Sequence, residues 1–247
     1  LPSGFDLKNA IKEQGMQQQD IKIQSRDGGA FDCYVAIPDA AVKAPGIVIA
    51  SAVQGVDQDI RGLADAFAAQ GVFAAAPDLF WRTIPGILPH GDPRCSDRAK
   101  PRLERIKAGE ADMSDTLAYL GTLPGFNGRA MAAGFCYGGP YAIVGPKRLG
   151  FAAGLSCHGS QMGEYLADME GVTQPMCFIW GDQDHQLPAA LSDQYRDVAA
   201  RMHNAELHIF PGVQHAYMIR GNAKAFDQKT YDFSMQRAFA MLDALRS

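Results

Sequence analysis

The sequence predicts an α/β fold with a mostly parallel sheet and an antiparallel edge, and three observations carry that prediction. Short, almost wholly apolar runs recur along the chain, amphipathic stretches of helical length separate them, and an alternating hairpin pattern precedes them all. Strands buried on both faces read as continuous apolar runs, as a parallel sheet covered by helices requires. At 247 residues, with 47% apolar and 20% charged residues, the chain suits one compact domain over residues 1–247 with a large core.

The hairpin comes first. Residues 21–24 and 31–37 alternate apolar and polar side chains around Asp27-Gly28-Gly29, a turn sequence of antiparallel pairs. After Pro45 the apolar runs follow at 46–50, 72–76, 130–133, 150–157, 176–180 and 206–210. Helices are expected between or after them at 60–70, 99–120, 140–149, 189–203 and 230–245. The last places Phe233, Met235, Ala238, Phe239, Met241, Leu242 and Leu245 near the i, i+3, i+4 spacing of one apolar face. One connection, 81–98, is long and irregular, with three prolines and two glycines. It follows the strand end Pro77-Asp78, where open α/β sheets bind ligands, so it either covers the site or is an ordinary surface loop.

Composition removes several functions. A net charge of -4 with no run of basic residues gives no nucleic-acid arm. No stretch approaches 18 apolar residues, and the first residues lack a basic segment followed by an apolar core, so no membrane association is expected. The five cysteines (33, 95, 136, 157 and 177) are odd in number and scattered without C-x-x-C or H-x-x-x-H spacing. Reduced thiols in a cytoplasmic protein without a metal site fit that pattern. A monomer or small homo-oligomer is expected.

The chemistry concentrates at Gly134-Phe135-Cys136-Tyr137-Gly138-Gly139, directly after the apolar run 130–133. This has the form of G-x-S-x-G, a strand-turn-helix elbow in which small residues let the backbone turn and lift a nucleophile clear of the sheet, here with a thiol in place of the hydroxyl. A thiol with a pKa of about 8.5 is largely protonated at neutral pH, and a helix terminus with the N–H groups of Tyr137 and Gly138, together with a histidine, would ionise it. Cys33, Cys157 and Cys177 lie in apolar strands and read as small core side chains; Cys95, in the irregular loop, reads as accessible.

Elbow enzymes place an acid and then a histidine on loops after later strands. Gly181-Asp182-Gln183-Asp184-His185 and Gly212-Val213-Gln214-His215 fall there. Asp184 is the better acid because it lies deeper in its loop, and Asp182 competes or else holds the turn. Among the other histidines (90, 158, 185, 203 and 208), His158 is the strongest rival to His215 as base.

With these residues placed, the chain from about Ile21 onward resembles the dienelactone hydrolase family, the cysteine branch of the α/β-hydrolase fold. The elbow, Gly181-Asp182-Gln183-Asp184-His185, Gly212-Val213-Gln214-His215, Asn127-Gly128-Arg129 and Gln70-Gly71-Val72 before Pro77-Asp78-Leu79 carry the likeness. It implies Cys136, Asp184 and His215 as nucleophile, acid and base, and a small lactone or ester as substrate. It also implies an acyl-thioester without cofactor or metal, and an oxyanion hole from the N–H groups of Tyr137 and Val53. Members of the family hold an anionic substrate with arginines, which implies Arg82, Arg94 or Arg98 in the loop and Arg220 beyond the histidine. Trp81 and Tyr217 would line an apolar pocket. The chain departs from the family at Ala52, where members carry a glutamate that helps ionise the thiol. A non-catalytic binder on the same fold, and a thiol redox protein using Cys136 with Cys157, are the competing readings.

Overall fold

The computed structural model describes residues 15–39 and 43–247. The expected hairpin is present as β1 (Gln17–Gln24) and β2 (Ala30–Ile37), paired antiparallel from Gln17 opposite Ile37 to Gln24 opposite Ala30. The apolar runs become β3 (Ala44–Ala50), β4 (Phe73–Pro77), β5 (Phe126–Phe135), β6 (Ala153–Cys157), β7 (Met176–Gln183) and β8 (Ala205–Gln214). All eight strands form one sheet in the order β1-β2-β4-β3-β5-β6-β7-β8. β2 also runs antiparallel to β4, and every pairing from β4 to β8 is parallel.

Helices cover both faces. Among the described residues they are α1 (Gln58–Ala68), a short α2 (Arg94–Arg98), α3 (Arg102–Leu120), α4 (Tyr141–Arg148), α5 (Ala189–Arg201) and α6 (Gln228–Asp243). Side chains alternate across the strands, so β3 sends Val48 and Ala50 to one core and Ile47 and Ile49 to the other. The first core includes Ile106 and Met113 of α3 with Tyr141 of α4, and the second Ile60 and Leu63 of α1 with Met235 and Leu242 of α6. Two helices start where an aspartate accepts a backbone N–H: Asp57 from Ile60 at 3.1 Å and Asp227 from Thr230 at 2.8 Å.

The irregular connection contains α2, which the proline-rich pattern hides. Its path is fixed by Asp78 at the end of β4, whose carboxylate accepts the N–H groups of Phe80 (2.9 Å) and Gly86 (2.7 Å). A 3-10 segment, Met162–Met169, follows β6 and was likewise not legible as periodicity. Among the described residues no helix is long and apolar enough to cross a membrane.

Trp180, fully buried on β7, donates its indole N–H to the Gly159 carbonyl at 2.9 Å and so ties the turn after β6 to the core. Replacing Trp180 with alanine is expected to lower the unfolding free energy by about 3–5 kcal/mol in urea titrations. Trp180→Phe, which keeps most of the volume and strands one carbonyl, should cost about 1–3 kcal/mol.

Candidate active site

Cys136 follows β5 directly with φ at 51°, a left-handed conformation that a residue with a side chain rarely adopts. Close packing holds it there. A Cβ on Gly138 would collide with the Ala50 carbonyl of β3, and one on Gly134 with the Gly138 carbonyl. Gly138 thus lets the turn after Cys136 lie directly on the end of the neighbouring strand. A single 3-10 turn, Cys136–Gly138, leads into α4.

Two later strands deliver the partners. His215 follows β8, and its Nε2 lies 3.1 Å from Cys136 Sγ. Its Nδ1 lies 2.9 Å from each carboxylate oxygen of Asp184, which is buried after β7 and also accepts the Gln186 N–H at 2.8 Å. Asp182, the competing acid, instead accepts the Gly212 N–H at 2.7 Å and fixes the turn that leads to His215. Ser160 Oγ lies 3.9 Å from the sulfur, and its N–H donates to the Cys136 carbonyl at 2.9 Å.

The electrostatics favour an ion pair between thiol and imidazole. Burial pushes the Cys136 thiol up, but the hydrogen bond and charge of His215, with smaller help from Ser160 and Arg102, bring it below its ordinary value. Burial pushes His215 down, yet the hydrogen bonds to Asp184 and Cys136 carry it to about 10.

These groups open into a cavity of about 460 Å³. Its walls come from the loop after β3 (Ala52, Val53, Gln54), the long connection (His90, Cys95, Ser96), and Lys100 and Arg102 at the start of α3. Among the described residues, the four non-glycine positions with positive φ, Cys136, His158, Gln161 and Ala216, all line it. Such backbone costs on the order of 1–3 kcal/mol per residue, and its concentration here marks a functional site.

A model of the dienelactone hydrolase family matches residues 31–245. The chain belongs to that family. Carboxymethylenebutenolidase 1 of Cupriavidus pinatubonensis is 28% identical over 234 residues, which cover 94% of this chain and 99% of that protein. The carboxymethylenebutenolidase of Pseudomonas putida is 32% identical over 177 residues, 70% of this chain and 75% of the relative. A solved dienelactone hydrolase-like promiscuous phosphotriesterase from metagenomic libraries superposes with a TM-score of 0.77 at 15% identity, covering 93% of this chain and 98% of that one. At that identity the likeness is one of fold, the α/β-hydrolase fold.

None of the six side chains expected to touch substrate lines the cavity. Arg82 pairs with Asp112 at 2.6 Å, and the Trp81 indole donates to the same carboxylate at 3.0 Å. Asp112 is fully buried on α3, and that demand turns both residues away from the site. Arg94 forks onto its neighbour Asp92 at the surface. Arg98 is fully buried over the Phe80 ring and donates to the carbonyls of Val53 (3.2 Å) and Gly86 (2.6 Å), so it braces the loop after β3 against the long connection. Arg220 lies over the rings of Phe226 and Tyr231. Tyr217 is buried, its hydroxyl 3.0 Å from Ser234 Oγ. Cys95, expected to be accessible, is buried with its sulfur 3.8 Å from the Pro89 carbonyl.

Of the expected oxyanion residues, Val53 lines the cavity and Tyr137 is the residue after the sulfur. Ala52 lines it too, so no carboxylate stands on that strand end. The rival His158 is fully buried, with both ring nitrogens lacking hydrogen-bond partners, and packs edge-on against His215 with centroids 5.1 Å apart. Arg102, Ser160 and Gln186 were missed by sequence reasoning. Among the described residues two clusters of metal-ligating types exist, Cys177 with Glu206 and His208, and Asp57 with Asp59 and His90. Each is already engaged: Glu206 pairs with Arg237 at 2.6 Å, and Asp59 accepts the Gly221 N–H at 3.0 Å.

If Arg82 serves Asp112 rather than substrate, Arg82→Met should lower stability by about 3 kcal/mol, since it strands a buried carboxylate. The same variant, assayed well below its melting temperature, should alkylate Cys136 with iodoacetamide at the wild-type rate. Slowed alkylation would place Arg82 in the site after all.

Proposed function

We propose that this protein hydrolyses a small lactone or carboxylic ester through an acyl-thioester on Cys136. The observation that carries the reading is the chain of contacts from Cys136 Sγ to His215 Nε2 (3.1 Å) and from His215 Nδ1 to Asp184 (2.9 Å). A nucleophile touching a base that is oriented by a buried acid is the arrangement acyl transfer needs. The relatives are named for a butenolide, a small lactone, and a cavity of about 460 Å³ is of the size that takes such a ring.

In this mechanism the Cys136 thiolate attacks the carbonyl carbon, forming a C–S bond and moving charge onto the carbonyl oxygen. The backbone N–H groups of Tyr137 and Val53 would receive that oxyanion. As the tetrahedral species collapses, the C–O bond to the leaving oxygen breaks and that oxygen takes the proton from His215 Nε2. Water then gives a proton back to Nε2 while its oxygen attacks the thioester. Breaking the C–S bond releases the acid and restores the thiolate and the imidazolium. Asp184 accepts the Nδ1 hydrogen bond throughout and favours the charged ring.

We also propose an anionic substrate. Although the chain carries a net charge of -4, no carboxylate is among the described residues that line the cavity, while Lys100 and Arg102 form part of its wall. The five unpaired cysteines suit a reducing compartment such as the cytoplasm.

Cys136→Ala should abolish turnover across a panel of lactones and aryl esters, a loss of about 10³-fold or more, with the fold intact by circular dichroism. Persistent wild-type activity in that variant would exclude the thioester route. The pH profile follows from the two shifts. Acylation needs the thiolate and a protonated His215, so kcat/KM should fall below the lowered Cys136 pKa and fall again as the pH rises through about 10. Lys100→Met should raise KM for a carboxylated lactone about two- to five-fold, and leave its neutral methyl ester unaffected, as an exposed charge contact implies.

A further inference from the structure

Arg102 is placed where a cation is unfavourable. It is the first residue of α3, a 19-residue helix, and the positive end of the helix dipole opposes a guanidinium there. It is half-buried, and its Nε is sealed from solvent without a hydrogen-bond partner. Among the described residues no carboxylate forms an ion pair with it. Burial pushes its pKa down, and the charge of Cys136 is the largest influence that counters this.

Its geometry aims at the nucleophile's two flanks. Nη2 donates to the carbonyl of Tyr137 at 2.9 Å and to that of Ser160 at 2.7 Å, and the guanidinium lies over the Tyr137 ring, 4.7 Å from its centroid. Tyr137 follows the sulfur in the chain, and Ser160 Oγ approaches the sulfur at 3.9 Å. One fork therefore joins the turn after β5 to the turn after β6 across the cavity that holds Cys136. Two carbonyl acceptors satisfy hydrogen bonds without cancelling a full charge, and a half-buried cation with no anion is costly.

We propose that Arg102 is a positioning residue whose charge keeps Cys136 ionised between turnovers, with the thiolate as its counter-ion. The inference rests on Cys136 being the nucleophile, and it makes the resting thiolate independent of any carboxylate at position 52. Among the described residues, the other charged or titratable groups that line the cavity with Cys136 are His215, held by Asp184; His158 after β6; His185 after β7; Lys100 before α3; and His90 and Cys95 in the long connection. His215 supplies the direct contact, and Arg102 supplies a charge that stays when His215 gives up its proton. In the acyl-enzyme, where His215 is neutral, that charge favours departure of the thiolate from the thioester.

The test is the pH dependence of Cys136 alkylation by iodoacetamide, a neutral reagent that reads the thiolate alone, on the wild-type chain and single variants. Arg102→Met should raise the apparent pKa by about one unit, so that labelling at pH 6 slows about ten-fold. Arg102→Lys, which keeps the charge and loses the fork, should stay near the wild-type value. Superposable profiles for wild type and Arg102→Met, or a profile for Arg102→Lys as high as that of Arg102→Met, would overturn the proposal. If the methionine variant fails to fold, Arg102→Gln, neutral but able to donate to the same two carbonyls, takes its place in both comparisons. Ester turnover is measured separately. Its absence in wild type would count against the hydrolase, while the labelling profile would still report on Arg102.

Discussion

The close approach of Gly138 to the carbonyl end of β3 is the constraint on which the site depends. Only a residue without a Cβ can lie against Ala50 there, and that contact lets the chain turn back from β5 within one 3-10 turn. The turn puts Cys136 at φ 51° with its sulfur above the carboxyl edge of the sheet. Because β3, β5, β6, β7 and β8 run parallel, their ends deliver Ala52, Ser160, Asp184 and His215 to that same edge. The triad geometry is thus a consequence of strand order, with strain at the elbow offset by two buried cores.

Much of this was legible in the sequence because it is local. Apolar runs located the strands and the glycines at 134, 138 and 139 located the elbow. Asp184 and His215 follow their strands at short range, so chain order alone brought them to the edge of the sheet. Between the two aspartates the deciding fact is nearly local as well: Asp182 is taken by the Gly212 N–H, which leaves Asp184 to face the imidazole.

What was illegible depends on side-chain direction set by distant partners. Arg82 and Trp81 lie in the predicted loop, but a fully buried Asp112 some thirty residues on claims both. Arg98 is claimed by two backbone carbonyls. Arg102 was hidden for a different reason, since a basic residue in the charged, amphipathic stretch 99–120 reads as a solvated face. A signal existed. Arginine directly after a proline at a helix start runs against the dipole preference, and such a departure points to a local anion.

The arrangement of charge joins these observations. Hydrolysis of a carboxylic ester ends in an acid that is ionised at neutral pH, so a cavity walled by Lys100 and Arg102 would attract product as well as the proposed anionic substrate. The two cations differ in exposure, and that difference separates their consequences. Lys100 is exposed, where water and salt weaken its hold on a carboxylate. Arg102 is half-buried with Nη2 fixed to the carbonyls of Tyr137 and Ser160, the two residues beside the sulfur. A cation placed for a thiolate can remain strong without trapping product, provided the carboxylate leaves from the solvent side, and the exposed lysine lies on that side.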